Sequence, residues 1–466
     1  MDQLKIGLLP LYIKLYDDNW PELRKRTDPF LETISSELSK KGTEVISAKV
    51  CRIQQEFEDA VQLFESEDVD AIVTLHLAYS PSLESVNALS STNLPIVVLD
   101  TTPAYEFSPS QESEEILYNH GIHGVQDMCN LLIRNEKEFL IEAGHWKSSD
   151  VLDRVVAGVK AAKITKKMKT AKVGRIGDAF HGMGDFSVAD DLLHSTIGIE
   201  TISIDLHPDH LSSASVSDEE IDKEMGMDQL SFQFSSLEND VYRQATHDCL
   251  TIRNVIEDRQ MYAFTINFLD VTKNSGISSM PFLEASKAMA RGIGYAGEGD
   301  VLTAALVGAL LSVYPDASFT EMFCPDWKNG RIFLSHMGEM NLRSAAETPV
   351  LKELDFPFTD ANNTIVAYGR FRGGNAVYVC LAPGKNQTYT LILSPGEMLD
   401  VKSEDKMRET IRGWFTPSMP ISEFLSSFSK NGGIHHGAIV YGEALPVLKR
   451  FGEYMGWKVV VLESEA

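Results

Sequence analysis

The side chains best suited to chemistry are carboxylates and imidazoles at turns or strand ends in the second half of the chain. They are Glu298 and Asp300 in Gly294-Tyr-Ala-Gly-Glu-Gly-Asp, Glu321 in Ser318-Phe-Thr-Glu, His336 in Ser335-His-Met-Gly-Glu, and His435 and His436 in Gly432-Gly-Ile-His-His. Two carboxylates with two imidazoles suit an octahedral Mn²⁺-type ion and leave two positions for a bidentate ligand. Single histidines are more often structural or surface residues than metal ligands. We therefore predict metal-assisted chemistry only if the fold brings these residues together.

The glycine-rich stretch also contains a literal G-x-G-x-x-G at Gly292, Gly294 and Gly297. That fingerprint of an NAD-linked oxidoreductase needs a strand before it, so that the helix behind it faces a pyrophosphate. Here a helical pattern over 282–290 precedes the glycines, which argues against a dinucleotide site. We expect the glycines to let the backbone turn tightly and to present Glu298 and Asp300 at the start of a helix over 301–313.

The elements that must position these residues are predicted to form three domains. Residues 1–171 alternate apolar β-runs and amphipathic segments, which is typical of a doubly wound parallel sheet. Residues 172–316 alternate again and predict a second α/β domain, with a boundary at the basic segment 163–172. Residues 317–466 contain frequent β-runs separated by Gly, Pro and Asn, which predicts a mainly antiparallel β domain.

Charge and composition limit the classes of partner. The 42 Lys and Arg residues against 67 Asp and Glu give a net charge of −25, so the surface should repel nucleic acid. No apolar run reaches the length of a membrane-spanning helix, and the start lacks the features of a signal peptide. The five scattered cysteines fit a reducing compartment, with Cys324 expected to be a buried thiol. We therefore expect a cytoplasmic protein without membrane or nucleic-acid partners.

Several of these segments resemble the L-arabinose isomerase family, within the wider L-arabinose/L-fucose isomerase superfamily. The resemblance rests on Phe264-Thr-Ile-Asn-Phe, Met280-Pro-Phe-Leu-Glu-Ala and the stretch that begins at Gly294, followed by the segments around Glu321, His336 and the histidine pair. Earlier matches are His123-Gly, Gly144-His-Trp and Arg175-Ile-Gly-Asp. The matching segments occur in the same order as in the family, and together they span most of the chain.

The resemblance implies a Rossmann-like N-terminal domain, a second α/β domain, a C-terminal β-rich domain and a homo-oligomer, tetrameric or hexameric, with active sites between subunits. It implies an aldose–ketose isomerase acting on a free sugar. The cofactor would be Mn²⁺, with Co²⁺ or Mg²⁺ as substitutes, held by Glu298, Glu321, His336 and His436. His123, from a neighbouring subunit, and His435 would contact the sugar.

The reaction moves one proton between C1 and C2 and another between O1 and O2, through an enediol or enediolate that a bound ion stabilises. Glu298 and Glu321 are the candidates for proton transfer, and which of them acts on carbon stays open. Asp300 is expected to orient a ligand or a water molecule, or else to begin a helix.

Departures from the family leave the sugar open. Met322-Phe-Cys-Pro follows Glu321 in place of an acidic and aromatic run, Gly338 replaces a bulkier residue, and Asn341 follows Met340. L-Fucose, D-galactose or a modified hexose such as a sulfosugar are alternatives to L-arabinose, and Arg343, Arg370 and Arg372 could recognise an anionic sugar unless they form surface salt bridges. A non-catalytic sugar-binding protein is a further alternative.

Overall fold

The computed structural model describes residues 3–211, 215–402 and 404–464. These residues form two compact units, one of residues 3–166 with 449–454 and the other of residues 167–448 with 455–464, less the gaps. Within the described ranges, no helix combines the length and apolar character needed to cross a membrane.

The first unit is a layered α/β structure. Its described strands are β1 Leu4–Leu11, β2 Thr43–Ser47, β3 Ala71–His76, β4 Ile96–Asp100 and β5 Phe139–Ala143. Its helices are α1 Lys14–Asn19, α2 Arg24–Lys40, α3 Gln54–Ser66, α4 Ser82–Ser91, α5 Ile116–Asn119, α6 Gly121–Arg134 and most of α7 Val151–Lys169. The strands are all parallel, in the order β2-β1-β3-β4-β5. Every residue of β3 is buried, as expected for a parallel strand covered on both faces.

The second unit begins with another parallel sheet. Strands β6 Lys172–Ile176, β7 Glu200–Ile204, β9 Ala263–Ile266 and β10 Gly294–Gly297 lie in the order β10-β9-β6-β7. The helices along this part of the chain are α8 Asp190–Thr196, α9 Pro208–Leu211, α10 Asp218–Ser231, α11 Asn239–Asp258, α12 Phe282–Arg291 and α13 Val301–Leu311. Most of the basic segment predicted as a domain boundary forms the end of α7, and the division into three domains stays a prediction.

The rest of the second unit is mainly antiparallel. Its strands are β11 Ser318–Asp326, β12 Arg331–Ser335, β15 Gly374–Pro383, β16 Tyr389–Met398, β17 Gly413–Pro417, β18 His436–Tyr441 and β19 Lys458–Val461. The order is β15-β18-β11-β12-β17-β16-β19, and β15 also pairs with β16, so six antiparallel strands close into a ring. A small sheet consists of β8 Gln233–Phe234, β13 Val350–Leu354 and β14 Thr364–Tyr368. The helices in this part of the chain are α14 Ile421–Lys430 and α15 Leu445–Tyr454. The second half of α15 belongs to the first unit. The predicted fold class is confirmed.

The glycine-rich stretch differs from its prediction in detail. Residues Gly294–Gly297 form strand β10, and the tight turn falls one residue later, at Glu298 and Gly299, whose φ angles are 65° and 84°. Helix α13 is buried all round and packs against β10 so closely that a Cβ at Gly294 would overlap backbone atoms of the helix. The absence of a side chain at Gly294 therefore allows α13 to pack closely against β10, and the turn itself does not depend on it.

We expect Gly294→Ala to lower the free energy of unfolding by about 1–3 kcal/mol, because the new methyl group forces α13 away from β10. The measurement is urea unfolding followed by circular dichroism. Gly226→Ala is the matched control, since Gly226 lies exposed in α10 with open space around its Cα, and that change should leave stability equal or higher. Equal stability of the two variants would contradict the packing argument.

Candidate metal centre

The register of the antiparallel sheet brings three of the predicted residues together. Strand β11 pairs with β18 on one side and with β12 on the other, so Glu321 lies opposite both His436 and Ser335. Side chains directly opposite in such a pair are neighbours on the same face. His336 directly follows Ser335, and the Oε1 atom of Glu321 lies 3.1 Å from Nε2 of His336 and 3.1 Å from Nε2 of His436.

Glu298 reaches the same place from the parallel sheet. It follows the last residue of β10 and has a left-handed backbone conformation, which is unfavourable for a residue other than glycine and persists only where the surroundings impose it. Its Oε2 atom lies 3.4 Å from Nε2 of His436 and 3.5 Å from Nε2 of His435. The carboxylates of Glu298 and Glu321 therefore face the same imidazole.

Asp300 connects the helix α13 to this cluster. One carboxylate oxygen accepts a hydrogen bond from the backbone N–H of Thr303 at 2.9 Å, which caps the start of α13. The other oxygen lies 2.8 Å from Nδ1 of His436. Asp300 is fully buried, and it therefore both begins the helix and orients an imidazole, the two roles that its position in the sequence suggested.

Each of the other two imidazoles also has a carboxylate at Nδ1. Glu339 lies 2.6 Å from Nδ1 of His336 and accepts hydrogen bonds from the hydroxyl of Tyr295 and the backbone N–H of Gly338. Asp185 lies 2.6 Å from Nδ1 of His435. The rings of Phe319 and Phe186 pack against the histidines, so apolar groups surround much of the cluster.

The imidazoles keep both glutamates ionised. Burial raises the pKa of Glu298, but the contact with His435 and the neighbouring positive charges of His436 and His336 bring it down to about 2. For Glu321, burial acts in the same direction, and the nearby positive charges of His336 and His436 again prevail and lower the pKa. Both side chains are therefore carboxylates at neutral pH, as bases and metal ligands must be.

The carboxylates in turn favour protonated imidazoles when no ion is bound. Burial lowers the pKa of His336, but the charges of Glu339 and Glu321 and the hydrogen bond with Glu339 raise it to about 10. Burial likewise lowers the pKa of His436, while Asp300 and the two glutamates raise it well above the ordinary value. A divalent cation would replace these protons as the positive charge that the buried carboxylates require.

The donor atoms fit a metal ion. Donor atoms of Glu298, Glu321, His435 and His436 all lie within 4.8 Å of one another. His336 is outside that set, although its Nε2 lies 3.1 Å from Oε1 of Glu321. Oε1 of Glu321 and Nε2 of His436 are buried and form no hydrogen bond with the described residues. Unpaired buried polar atoms are costly, and a cation between them would satisfy both.

Some residues singled out in the sequence lie elsewhere. His123 belongs to the first unit, where it is exposed in the first turn of α6, and its role as a residue of a neighbouring subunit's site stays a prediction. Arg370 lies between Glu347 and Asp405, and Arg372 pairs with Asp316 and stacks on Tyr441. Arg343 is exposed.

Three departures from the family pattern have structural explanations. A Cβ at Gly338 would lie 2.8 Å from the ring of Phe282, so the ring occupies the space of the missing side chain. Asn341 is buried and donates to the backbone oxygens of Pro315 and Ala317 at 2.9 and 2.7 Å. Cys324 is exposed rather than buried, because β11 extends past a register shift to Asp326 and leaves the thiol on the open side.

Sequence reasoning missed Glu339, Tyr295 and Asp185. The sequence could have indicated Glu339, because this residue lies three positions after His336 in the same short segment. Asp185 is 250 positions from His435 and lies in a segment without any local signal of a metal site. Only the tertiary structure shows this contact.

Comparison with known proteins identifies the relatives of this chain. A family model described as the L-arabinose isomerase central domain matches residues 199–314, and one described as the L-arabinose isomerase C-terminal domain matches residues 316–458. The L-arabinose isomerase of Shouchella clausii is 24% identical, with 88% of this chain and 85% of that protein covered. The L-arabinose isomerase of Shewanella baltica is 22% identical, with 91% and 86% covered.

The similarity to solved structures is low. A periplasmic solute-binding protein from Actinobacillus succinogenes with bound D-allose aligns at 12% identity over 67% of this chain and 92% of that chain, with a TM-score of 0.18. The residues of this chain that the two family models match include Glu298, Glu321, His336 and His436. The chain belongs to the L-arabinose isomerase family of aldose–ketose isomerases, which are intramolecular oxidoreductases.

Proposed function

We propose that this protein is a divalent-metal-dependent isomerase that converts a free aldose of the L-arabinose type into its ketose. The observation that carries the proposal is the single buried cluster in which Glu298 and Glu321 face imidazoles whose Nδ1 atoms are held by carboxylates. Carboxylate-bound imidazoles are typical of metal ligands. Glu298, Glu321, His336 and His436 are the proposed ligands, and their mixed oxygen and nitrogen donors suit Mn²⁺, with Co²⁺ or Mg²⁺ as substitutes.

The two glutamates would carry the protons. One carboxylate takes the proton from C2 of the aldose while O1 gains a proton, which gives an enediol; a proton then enters at C1 and one leaves O2, which gives the ketose. Glu298 and Glu321 are both ionised and close to the same point, so one can act on carbon and the other on oxygen. A bound divalent ion would supply Lewis acidity to the sugar oxygens.

The surrounding residues would orient these groups and exclude water. Asp300 and Glu339 fix the rings of His436 and His336, while the rings of Phe186 and Phe319 cover the imidazoles. Precise placement of this kind supplies a large part of catalysis. We further propose a cytoplasmic homo-oligomer, tetrameric or hexameric, in which His123 of another copy and His435 contact the sugar.

The ion pairs of the arginines favour a neutral sugar. Arg372 pairs with Asp316, and Arg370 lies 3.9–4.0 Å from Asp405 and Glu347, so carboxylates of this chain stand beside both positive charges. A neutral aldose such as L-arabinose, L-fucose or D-galactose therefore fits better than an anionic sugar.

The test of the function is a panel of aldoses incubated with the Mn²⁺-loaded full chain and assayed for new ketose. We expect at least one neutral aldose to react, no activity after chelation and dialysis, and recovery with Mn²⁺ or Co²⁺. Full activity in a demonstrably metal-free sample would contradict the metal requirement. Binding of sugars without any ketose would favour a non-catalytic sugar-binding protein.

We expect Glu298→Gln and Glu321→Gln each to reduce turnover by at least about 100-fold, since each removes a proton acceptor and a ligand. Turnover is measured as ketose formed per second with saturating Mn²⁺, and circular dichroism checks the fold. Glu409→Gln is the matched control, because Glu409 is exposed and pairs only with Lys352 among the described residues. Near-normal turnover in either cluster variant would overturn the assignment.

Metal binding should release protons. Because the pKa of His336 is raised to about 10 without an ion, this imidazole is protonated at pH 7.5 and must lose its proton to bind a metal at Nε2. Mn²⁺ affinity should therefore rise as pH rises toward 10, by about tenfold per pH unit for each proton displaced. Calorimetric titration in buffers of different ionisation enthalpy counts the protons, and His336→Gln should release about one fewer. Binding without proton release would contradict this electrostatic account.

A further inference from the structure

Three buried side chains form a hydrogen-bonded row that ends at the ring of His336. The hydroxyl of Tyr295 donates to Oε1 of Glu339 at 2.6 Å, and Oε2 of Glu339 lies 2.6 Å from Nδ1 of His336. Tyr295 and Glu339 are each 1% exposed, and His336 is 6% exposed. Only Glu339 therefore separates the hydroxyl of Tyr295 from the imidazole of a proposed metal ligand.

The Tyr295 hydroxyl holds the plane of the Glu339 carboxylate. Oε2 of Glu339 accepts the backbone N–H of Gly338 at 2.9 Å in addition to its contact with His336, whereas Oε1 has the Tyr295 hydroxyl as its one hydrogen-bond partner among the described residues. With both oxygens held, the carboxylate keeps its orientation, and so does the ring of His336. Without the hydroxyl, Oε1 would be a buried acceptor that lacks a partner, which is unfavourable.

Packing of the tyrosine ring fixes where this hydroxyl lies. Tyr295 belongs to β10 and lies opposite Phe264 of β9, and the two rings meet edge to face with their centroids 5.0 Å apart. The ring of Phe319 packs on Tyr295 at 5.9 Å and reaches the ring of His336 at 4.8 Å. Strand β10 thus carries this hydroxyl, and Glu298, a second proposed ligand, directly follows its last residue.

Tyr295 is a hydrogen-bond donor in this row and not a proton acceptor. Burial, together with the charge of Glu339, keeps the pKa of its hydroxyl well above the ordinary value. The hydroxyl therefore stays protonated at neutral pH and donates to the carboxylate. Because the side chain is enclosed, Tyr295 has no access to a sugar and acts on the site through Glu339.

We propose that Tyr295 is a positioning residue, whose hydroxyl holds Glu339 in the orientation that aims Nε2 of His336 at the metal ion. The inference rests on the proposed function, since the ion is the one proposed there. Groups that orient a ligand histidine typically change metal affinity when they are removed. Residue 295 therefore affects how tightly the ion is held, although it touches neither the ion nor the sugar.

The test measures the Mn²⁺ affinity of the full chain from the electron paramagnetic resonance signal of the free ion, a readout that does not depend on turnover. We expect Glu339→Gln to weaken Mn²⁺ binding by about 10–100-fold and Tyr295→Phe by about 3–10-fold, because the tyrosine variant removes only one of the contacts that hold Glu339. The spectrum of bound Mn²⁺ should also change in Tyr295→Phe, since a reoriented imidazole alters the symmetry of the ligands.

A double variant separates action through Glu339 from a direct effect. If Tyr295 acts only through Glu339, removing the hydroxyl has no further effect once the carboxylate has been replaced. The variant with both Tyr295→Phe and Glu339→Gln should therefore bind Mn²⁺ as weakly as Glu339→Gln alone. Losses that multiply would overturn the proposed route.

Tyr262→Phe is the matched control. Tyr262 directly precedes β9, and its hydroxyl donates to the backbone oxygen of Ala305 at 3.2 Å, so this variant also loses one hydroxyl hydrogen bond, but to a carbonyl rather than to a carboxylate. Thermal unfolding followed by circular dichroism checks that each variant folds. A general loss of packing would lower the stability of both tyrosine variants, whereas only Tyr295→Phe should change the affinity and the spectrum.

Two further outcomes would overturn the inference, and they are distinguishable. If Tyr295→Phe keeps the wild-type affinity and spectrum while Glu339→Gln weakens binding, the hydroxyl does not position His336, and the proposed metal-dependent function still stands. If the wild type binds no Mn²⁺, the proposed function fails together with the inference. The comparison of Tyr295→Phe with Tyr262→Phe keeps the test valid if Glu339→Gln does not fold.

Discussion

The pairing of β11 with β18 and β12 is the constraint on which the candidate site depends. It places Glu321 opposite His436 and next to the end of β12, where His336 begins the following segment. A shift of one residue in either pairing would turn the side chains of the moved strand to the other face of the sheet. The closure of six strands into a ring restrains such a shift, because a strand in a ring has neighbours on both sides.

Electrostatics explains why the cluster needs each of its members. Burying a carboxylate without a partner is expensive, and here buried or largely buried acidic groups alternate with imidazoles. Glu339 and Asp300 are almost completely buried, and each is satisfied by an imidazole together with hydrogen bonds from other groups. Because Glu339 and Asp300 bind the Nδ1 atoms, the Nε2 atoms of His336 and His436 face Glu321 and Glu298. The arrangement that stabilises the buried charges thus also leaves donor atoms facing the place of the proposed cation.

Local strain and close packing hold the remaining carboxylate. The left-handed conformation of Glu298 is unfavourable by itself, so the surroundings must impose it. Helix α13 lies against Gly294 on one side of the turn, and the cap at Asp300 fixes the other. Phe180 adds a hydrogen bond from its backbone N–H to the carbonyl oxygen of Glu298 at 2.9 Å. Packing and hydrogen bonds on both sides of the turn therefore hold this carboxylate in place.

By itself, the sequence determined the fold class and the types of residue available for chemistry. Apolar runs such as those of β3 and β4 predict parallel strands because they lack alternation, and strands β12 and β14 begin and end where their patterns do. The motifs around Glu298, Glu321, His336 and His436 marked the cluster residues through family resemblance. A glycine-rich fingerprint could be set aside because a helix precedes it.

Only the tertiary structure decided which of these residues meet and through which atoms. Strand register, ring closure between β15 and β16, and the approach of Asp185 to His435 across 250 positions are long-range contacts that no local pattern encodes. The roles within the glycine-rich stretch were likewise not readable from the sequence: Gly294 allows close helix packing, while Glu298 and Gly299 form the turn. Local sequence fixes which conformations and donor groups are available, whereas the balance of packing and buried charge over the whole unit selects their arrangement.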